Sequence, residues 1–443
     1  MQSKKFTVVT QLHEKNNRGL IEYIESARRD YGKALRETFY AIKRGGFNKS
    51  LYKKYLQNKY EIVSRTAKSI ISDAQGRFNA LRELKEYERK QLESKIKHLE
   101  DVVIPKLVEK RNQNSTKLQE GVYVSLLQQR NLRARVVSKR AKLNRLKQKL
   151  EVLKYQIGTG KLKLCFGTKR LFRQDSKRFI EHRDSQMTFI GAKEETACNH
   201  NLQLTYNRRS NQFLIRLRKD FGGYKSAKGA DRYVYGKVYF NYHKAQIVSI
   251  LRSKASPLSY RIVKKADRYY LCCVFEFQVS DDAIVTRSSY GTIGLDFNKG
   301  FVTLSETNQY GHLVKTQFMP YRFKSGNKTK SDLQGVANHV IRLALNTGKD
   351  VCIENLDFRT KKAKTEAKIG KKYNEMLHSL AYREFSDALE SVSYRNKVGL
   401  FKVNPAGTSW LAEKIYCKPM KLNIHTGASY VIARRGQGYK DAV

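Results

Sequence analysis

Proline is scarce, five residues in 443, and tryptophan occurs once. The six cysteines (Cys165, Cys198, Cys272, Cys273, Cys352 and Cys417) form no Cys-x-x-Cys pair and fall at no zinc-finger spacing. That excludes a structural zinc site on spacing and reads as reduced cytosolic thiols, so no zinc is expected. No stretch approaches the roughly 20 apolar residues of a spanning helix, and Met1–Thr10 lacks the apolar core of a signal peptide, which argues against a membrane partner. Negative charge is scarce too. Against 88 Lys and Arg stand 40 Asp and Glu, a formal net charge of +48. Such an excess repels itself unless a polyanion neutralises it, so the expected partner carries many phosphates. The expected location is cytoplasmic, on the nucleoid through bound DNA.

What is present divides the chain into three kinds of pattern. Phe6-Thr7-Val8-Val9-Thr10 alternates like a strand but stands alone and needs a partner elsewhere. From about Asn16 to Gln156 the only breakers are Gly19, Gly32, Gly45-Gly46, Gly76, Pro105 and Gly121, so long helices separated at those points are expected. The last of them carries Leu143, Leu146, Leu150 and Leu153 at helical spacing, surrounded by Arg133, Arg135, Lys139, Arg140, Lys142 and Arg145. This is either an antiparallel hairpin with a solvated basic face or a face that grips a nucleic-acid backbone.

Between about Lys161 and Arg287 the runs turn β-like: 162–166, 213–217, 233–240 and 269–277. A small barrel or sheet follows, which the isolated N-terminal strand would complete. Tyr and Phe alternating with Lys and Arg there suit either a core or base stacking beside phosphates. The domain reading is 1–12 with 161–287 as a nucleic-acid-binding β-barrel, 13–160 as a helical recognition insert, and 288–443 as an α/β domain. Arg359–Lys372 reads as a loop. The fold class is multidomain α+β.

Gly291–Asp296 is a hydrophobic strand carrying an acid, followed by Phe301–Leu304 and His312–Lys315, a three-strand meander. A helix near Ser331–Leu345 leads to a second buried strand, Asp350–Ile353, ending in Glu354-Asn355-Leu356. In an RNase H fold these two strands lie side by side and parallel, so Asp296 and Glu354 converge. Like charges that close are costly unless a divalent cation sits between them. Two Mg²⁺ ions roughly 4 Å apart there can activate a water and stabilise the leaving oxygen of a phosphodiester.

Ile293-Gly294-Leu295-Asp296 resembles the first RuvC motif of the TnpB family, transposon-encoded RNA-guided nucleases related to type V CRISPR effectors. Val351–Leu356 resembles the second motif, Val403–Ser409 the segment before the third, and Ala428–Gly436 the third-motif helix of one branch. Cys165–Phe172 is similar to that branch as well. In these segments Lys169, Arg170, Thr408, Ser409, Arg434 and Arg435 are candidate nucleic-acid contacts. The resemblance implies an RNase H-like (RuvC) domain, Mg²⁺ at Asp296 and Glu354 if the site works, a guide RNA, and a double-stranded DNA target read by base pairing.

The chain departs from the family at the third acid. Leu422-Asn423-Ile424-His425-Thr426-Gly427-Ala428 carries no carboxylate, leaving Asn423 or His425 at the degraded position. The family's zinc ribbon is missing too, since Trp410–Met420 supplies only Cys417. Two uses remain open: a guided binder that acts by occupancy, for instance repressing transcription, or an active Mg²⁺-dependent endonuclease using Asp296, Glu354 and Asn423 or His425. A basic RNA-binding structural protein is the rival from another class, and a transposase ranks last for want of a third carboxylate.

Overall fold

The computed structural model describes residues 2–222, 229–279, 283–323, 327–356 and 369–441. They form a mixed α+β chain of two compact units, Ser3–Phe277, and Met1–Gln2 with Gln278–Val443.

In the first unit strand β1 (Gln2–Leu12) precedes helices α1 (Glu14–Arg44), α2 (Lys49–Lys59), α3 (Ser64–His98), α4 (Ile104–Gln119) and α5 (Leu126–Gly158). The Gly45-Gly46 pair ends α1 with φ of 84° and 66°, conformations that glycine adopts without strain. Gly19, Gly32 and Gly76, expected to be breaks, lie inside helices instead. At Gly32 the reason is close approach: a Cβ there would collide with the Asp184 carboxylate, which pairs with Arg36 and Arg183. A π-helical turn, Leu99–Val103, joins α3 to α4 without a break, and Pro105 lies in the first turn of α4 directly after it. Leu150 and Leu153 of α5 pack on Leu92 and Ile96 of α3, with Leu143 and Leu146 beside them. Lys147 pairs with Glu100 and Lys149 with Glu88, so the two helices run antiparallel as the leucine spacing predicts.

Two short helices, α6 (Lys169–Gln174) and α7 (Ser176–Arg183), lead to β2 (Gln186–Phe189), β3 (Leu202–Asn207), β4 (Gln212–Arg218), β5 (Tyr233–Val238), α8 (Lys244–Ser253), β6 (Ser259–Lys265) and β7 (Arg268–Val279). These strands form two sheets, ordered β1-β7-β6-β2 and β3-β4-β5, and no ladder among the described residues joins them into one ring. The lone N-terminal strand does find its partner, β7. Residues 162–166 are not a strand; Leu162 is buried and the Phe166 ring meets Phe39 edge-on at 5.2 Å. Their apolar pattern reflects packing on helices rather than pairing.

In the second unit β8 (Thr292–Asn298), β9 (Phe301–Thr307) and β10 (Leu313–Pro320) form the expected meander. Helix α9 (Asn327–Thr347) leads to β11 (Asp350–Glu354), then α10 (Ile369–Asn396), β12 (Leu400–Val403), α11 (Thr408–Leu411) and α12 (Ile424–Gly436). The sheet order is β10-β9-β8-β11-β12, with β8, β11 and β12 mutually parallel. Of the expected loop Arg359–Lys372, residues 359–368 lie outside the described residues and Ile369 already begins α10.

The two faces of this sheet differ in chemistry. Ile293, Leu295 and Phe297 turn to one side and pack with Leu333, Ala337, Val340 and Ile341 of α9 and with Phe385 and Leu389 of α10. Small and hydroxyl residues turn to the other, where α12 lies close: a Cβ on Gly294 would meet the Ser429 carbonyl oxygen and Ala433. Thr292 donates to the Ala433 carbonyl at 2.7 Å, and the Ser305 and Ser429 hydroxyls lie 2.7 Å apart. Buried hydroxyls are tolerated because each finds a partner.

Candidate functional site

The β8–β11 ladder pairs Ile353 with Leu295, so Asp296 and Glu354 occupy the next position on neighbouring parallel strands. Both share the parity of Gly294 and Cys352, whose neighbours are α12 residues Ala433 and Gly436, so both turn toward that helix. Adjacent strands run about 4.8 Å apart, so the two acids stand on neighbouring strands at the same end of the ladder.

Asp296 is 8% exposed. Its Oδ2 accepts a hydrogen bond of 2.7 Å from Asn298 Nδ2, and His425 Nδ1 lies 3.4 Å from the same oxygen. Glu354 Oε1 accepts from the Thr408 hydroxyl at 2.6 Å. The Tyr382 hydroxyl donates to the Glu354 carbonyl oxygen. Burial first, and then the nearby Glu354 charge, push Tyr382 up to about 12, so it keeps the proton it donates. Cys352, two residues before Glu354 and opposite Gly294, is an inert thiol: burial pushes it up to about 12.

The structure separates the two candidates for the third position. Asn423 caps α12, its Oδ1 accepting from His425 N at 3.0 Å and Thr426 N at 2.9 Å. That is ordinary helix-end chemistry. His425, in the first turn, is the residue set against Asp296, its ring edge-on to Phe301 at 5.1 Å and its carbonyl accepting from Thr303 at 3.0 Å. A two-cation phosphodiesterase site needs more negative charge than this. No group of three His, Cys, Asp or Glu able to hold a metal ion occurs among the described residues. The donor set therefore does not fit a two-metal arrangement.

No family model matches the chain and no curated protein matches it. Among solved structures it is similar, at 12% identity and a TM-score of 0.24, to Cas12f1 in a cryo-EM complex with sgRNA and target DNA, over 98% of this chain and 100% of that one. It is similar at 10% identity and a TM-score of 0.22 to Cas12i1 in an R-loop complex after target DNA cleavage, over 88% of this chain and 50% of that one. Both likenesses are distant.

The basic candidates divide by environment. On α5, Arg133, Arg135, Arg140 and Arg145 are exposed, and Lys139 and Lys142 are half-buried. Lys169 and Arg170 open α6 in the exposed state. Thr408 is buried against Glu354 while Ser409 beside it is exposed. Arg434 turns inward: its Nε donates to Asp441 at 2.9 Å, its Nη1 to the Gly311 carbonyl at 3.0 Å, and the Tyr416, Tyr430 and Tyr439 rings surround it. Arg435 holds the loop before α11 through the Asn404 and Ala406 carbonyls. Asp441 is thus an internal partner of Arg434 and of the Tyr416 hydroxyl.

Asn298 escaped the sequence reading although it touches Asp296. The signal was available, since residues two apart on a strand share a face and Asp-Phe-Asn places both polar side chains together.

Proposed function

We propose that this chain is an RNA-guided DNA-binding protein of the TnpB type. Its second unit is an RNase H-like (RuvC) domain whose cleavage is reduced or lost, and it acts by occupying its target, as a transcriptional repressor does. The order β10-β9-β8-β11-β12, antiparallel through β8 and parallel beyond, is the arrangement an RNase H fold uses to bring two strand acids together. The single observation that carries the reading is that Asp296 and Glu354 occupy the next positions past the β8–β11 ladder on neighbouring parallel strands, while His425, rather than a carboxylate, stands against Asp296. The charge of +48 supplies the affinity for phosphates that a bound RNA and a DNA duplex both require. In this reading the first unit, with its basic α5 face, holds the RNA, and base pairing reads the DNA.

The test is to express the protein with its native flanking DNA and sequence the RNA that co-purifies. One discrete RNA with a constant scaffold and a defined 3′ segment is expected, followed by capture without cutting of a duplex matched to that segment. Metal-dependent cutting of the matched duplex would replace occupancy with the endonuclease reading. A heterogeneous RNA population would point to a general RNA-binding protein instead.

A further inference from the structure

The three-stranded sheet β3-β4-β5 has one packed face and one open face. Gly236 marks the packed side, where a Cβ would meet Asn17 and Leu20 of α1. Strand alternation therefore turns Tyr233, Tyr235, Lys237 and, just beyond the strand, Tyr239 outward. Tyr235 is 58% exposed and Tyr239 43%. Across the ladder Tyr235 stands opposite Arg216, whose guanidinium lies 4.6 Å from the centroid of the Tyr233 ring. Lys244 Nζ stands 5.9 Å from the Tyr239 centroid. None of the outward positions of the three strands is acidic.

Beside Lys237 and Tyr239 opens a cleft of about 380 Å³ lined by Gln11, His13, Asn16, Gln212 and Asn241. Their amides and imidazole offer both donors and acceptors, the groups that read base edges. Exposed aromatic rings at strand spacing, interleaved with cations and bordered by such a cleft, form a stacking platform. A duplex keeps its bases stacked inside and cannot use one.

We infer that the open face of β3-β4-β5 binds unpaired nucleotides of the resident RNA. Tyr235 and Tyr239 stack on bases, Lys237 and Arg216 contact phosphates, and the adjoining cleft takes a base edge. The inference rests on the proposed function only in taking RNA as the bound strand.

Two measurements test it. Ultraviolet cross-linking of the purified protein with its co-purified RNA, read by mass spectrometry, is expected to place nucleotide adducts on Tyr235 or Tyr239. For the second, binding of a short oligouridine is compared between the parent, Tyr235→Leu/Tyr239→Leu and Tyr235→Phe/Tyr239→Phe. The leucine pair is expected to weaken binding about tenfold or more and the phenylalanine pair by less than about twofold, because stacking needs the ring and not the hydroxyl. Duplex RNA of the same sequence should show no difference between the variants.

Adducts confined to other segments would overturn the assignment, as would an unchanged affinity of the leucine pair for oligouridine. Equal loss in the phenylalanine pair would remove stacking as the mechanism. Stronger binding of oligodeoxythymidine than of oligouridine would assign the face to DNA. These results differ from a failure of RNA guidance, which a heterogeneous co-purifying RNA would reveal while adducts on the two tyrosines persisted.

Discussion

Replacing His425 by aspartate asks whether the acid pair still has the geometry of a cation site. The imidazole nitrogen lies 3.4 Å from Asp296 Oδ2, with side chains 43% and 12% exposed. An aspartate at 425 puts a second carboxylate about 4 Å from the first. Two like charges at that distance repel by about 4 kcal/mol at an effective dielectric of 20 and about 1 kcal/mol in water. The part-exposed position puts the cost near 2 kcal/mol, and loss of the edge-on contact with Phe301 adds about 0.5 kcal/mol.

At about 2–4 °C per kcal/mol for a unit of this size, His425→Asp should melt roughly 5–10 °C below the parent in EDTA. Saturating Mg²⁺ relieves the repulsion: a cation at about one hundred times its Kd contributes about 2.7 kcal/mol, enough to restore the parent's Tm. Differential scanning fluorimetry of both proteins in EDTA and in Mg²⁺ reads this directly. The parent should respond to Mg²⁺ by less than about 2 °C, since its donors do not form a full site. If His425→Asp melts like the parent in EDTA and gains nothing from Mg²⁺, position 425 does not face Asp296 as described.

Asp296→Ala is expected to leave RNA affinity within about twofold of the parent in a filter-binding assay, because phosphate contacts from the basic first unit dominate it; a large loss would count against placing the RNA there. Asn17→Ala should cost about 2–3 kcal/mol in urea unfolding. Its buried amide both donates to the Lys237 carbonyl at 3.1 Å and accepts from the Lys237 N–H at 2.9 Å, so the edge of β5 loses both partners. A cost below about 0.5 kcal/mol would show that water or a shifted helix replaces it. Asp332 is held down to about 2 by hydrogen bonds from the Arg322 side chain and backbone. A depressed carboxylate stabilises the fold above its unfolded value, near 4, and loses that contribution as pH falls through the folded one. The Tm difference between the parent and Asp332→Asn should therefore close between about pH 4 and pH 2, and a constant difference across that window would exclude the ion pair as its source.

What the sequence revealed depended on whether a pattern had one physical cause. The meander, the second acid strand and the α5 leucines were legible because a buried face imposes strict periodicity over several residues. Residues 162–166 carried a strand-like pattern for another reason, since Leu162 and Phe166 are apolar to pack on helices. Gly32 read as a helix break because nothing local announces that Asp184, 152 residues later, needs the space a side chain would fill. In the site, Asp296 and Glu354 were visible as acids in hydrophobic strands. The choice between Asn423 and His425 was not, because both lie at the start of one helix and only the direction each side chain takes separates a cap from a neighbour of Asp296.

The pairing of β1 with β7 also has a consequence for how the chain is made. Leu12 leaves the ribosome 267 residues before Val279 completes the strand beside it. At about 5–20 residues per second, the first strand waits roughly 13–53 s for its partner. During that interval the helices can form and pack locally, while Phe6-Thr7-Val8-Val9-Thr10 presents an unpaired, β-prone edge. Lys4 and Lys5 stand directly ahead of it, where charge discourages pairing with another nascent chain until the proper strand arrives.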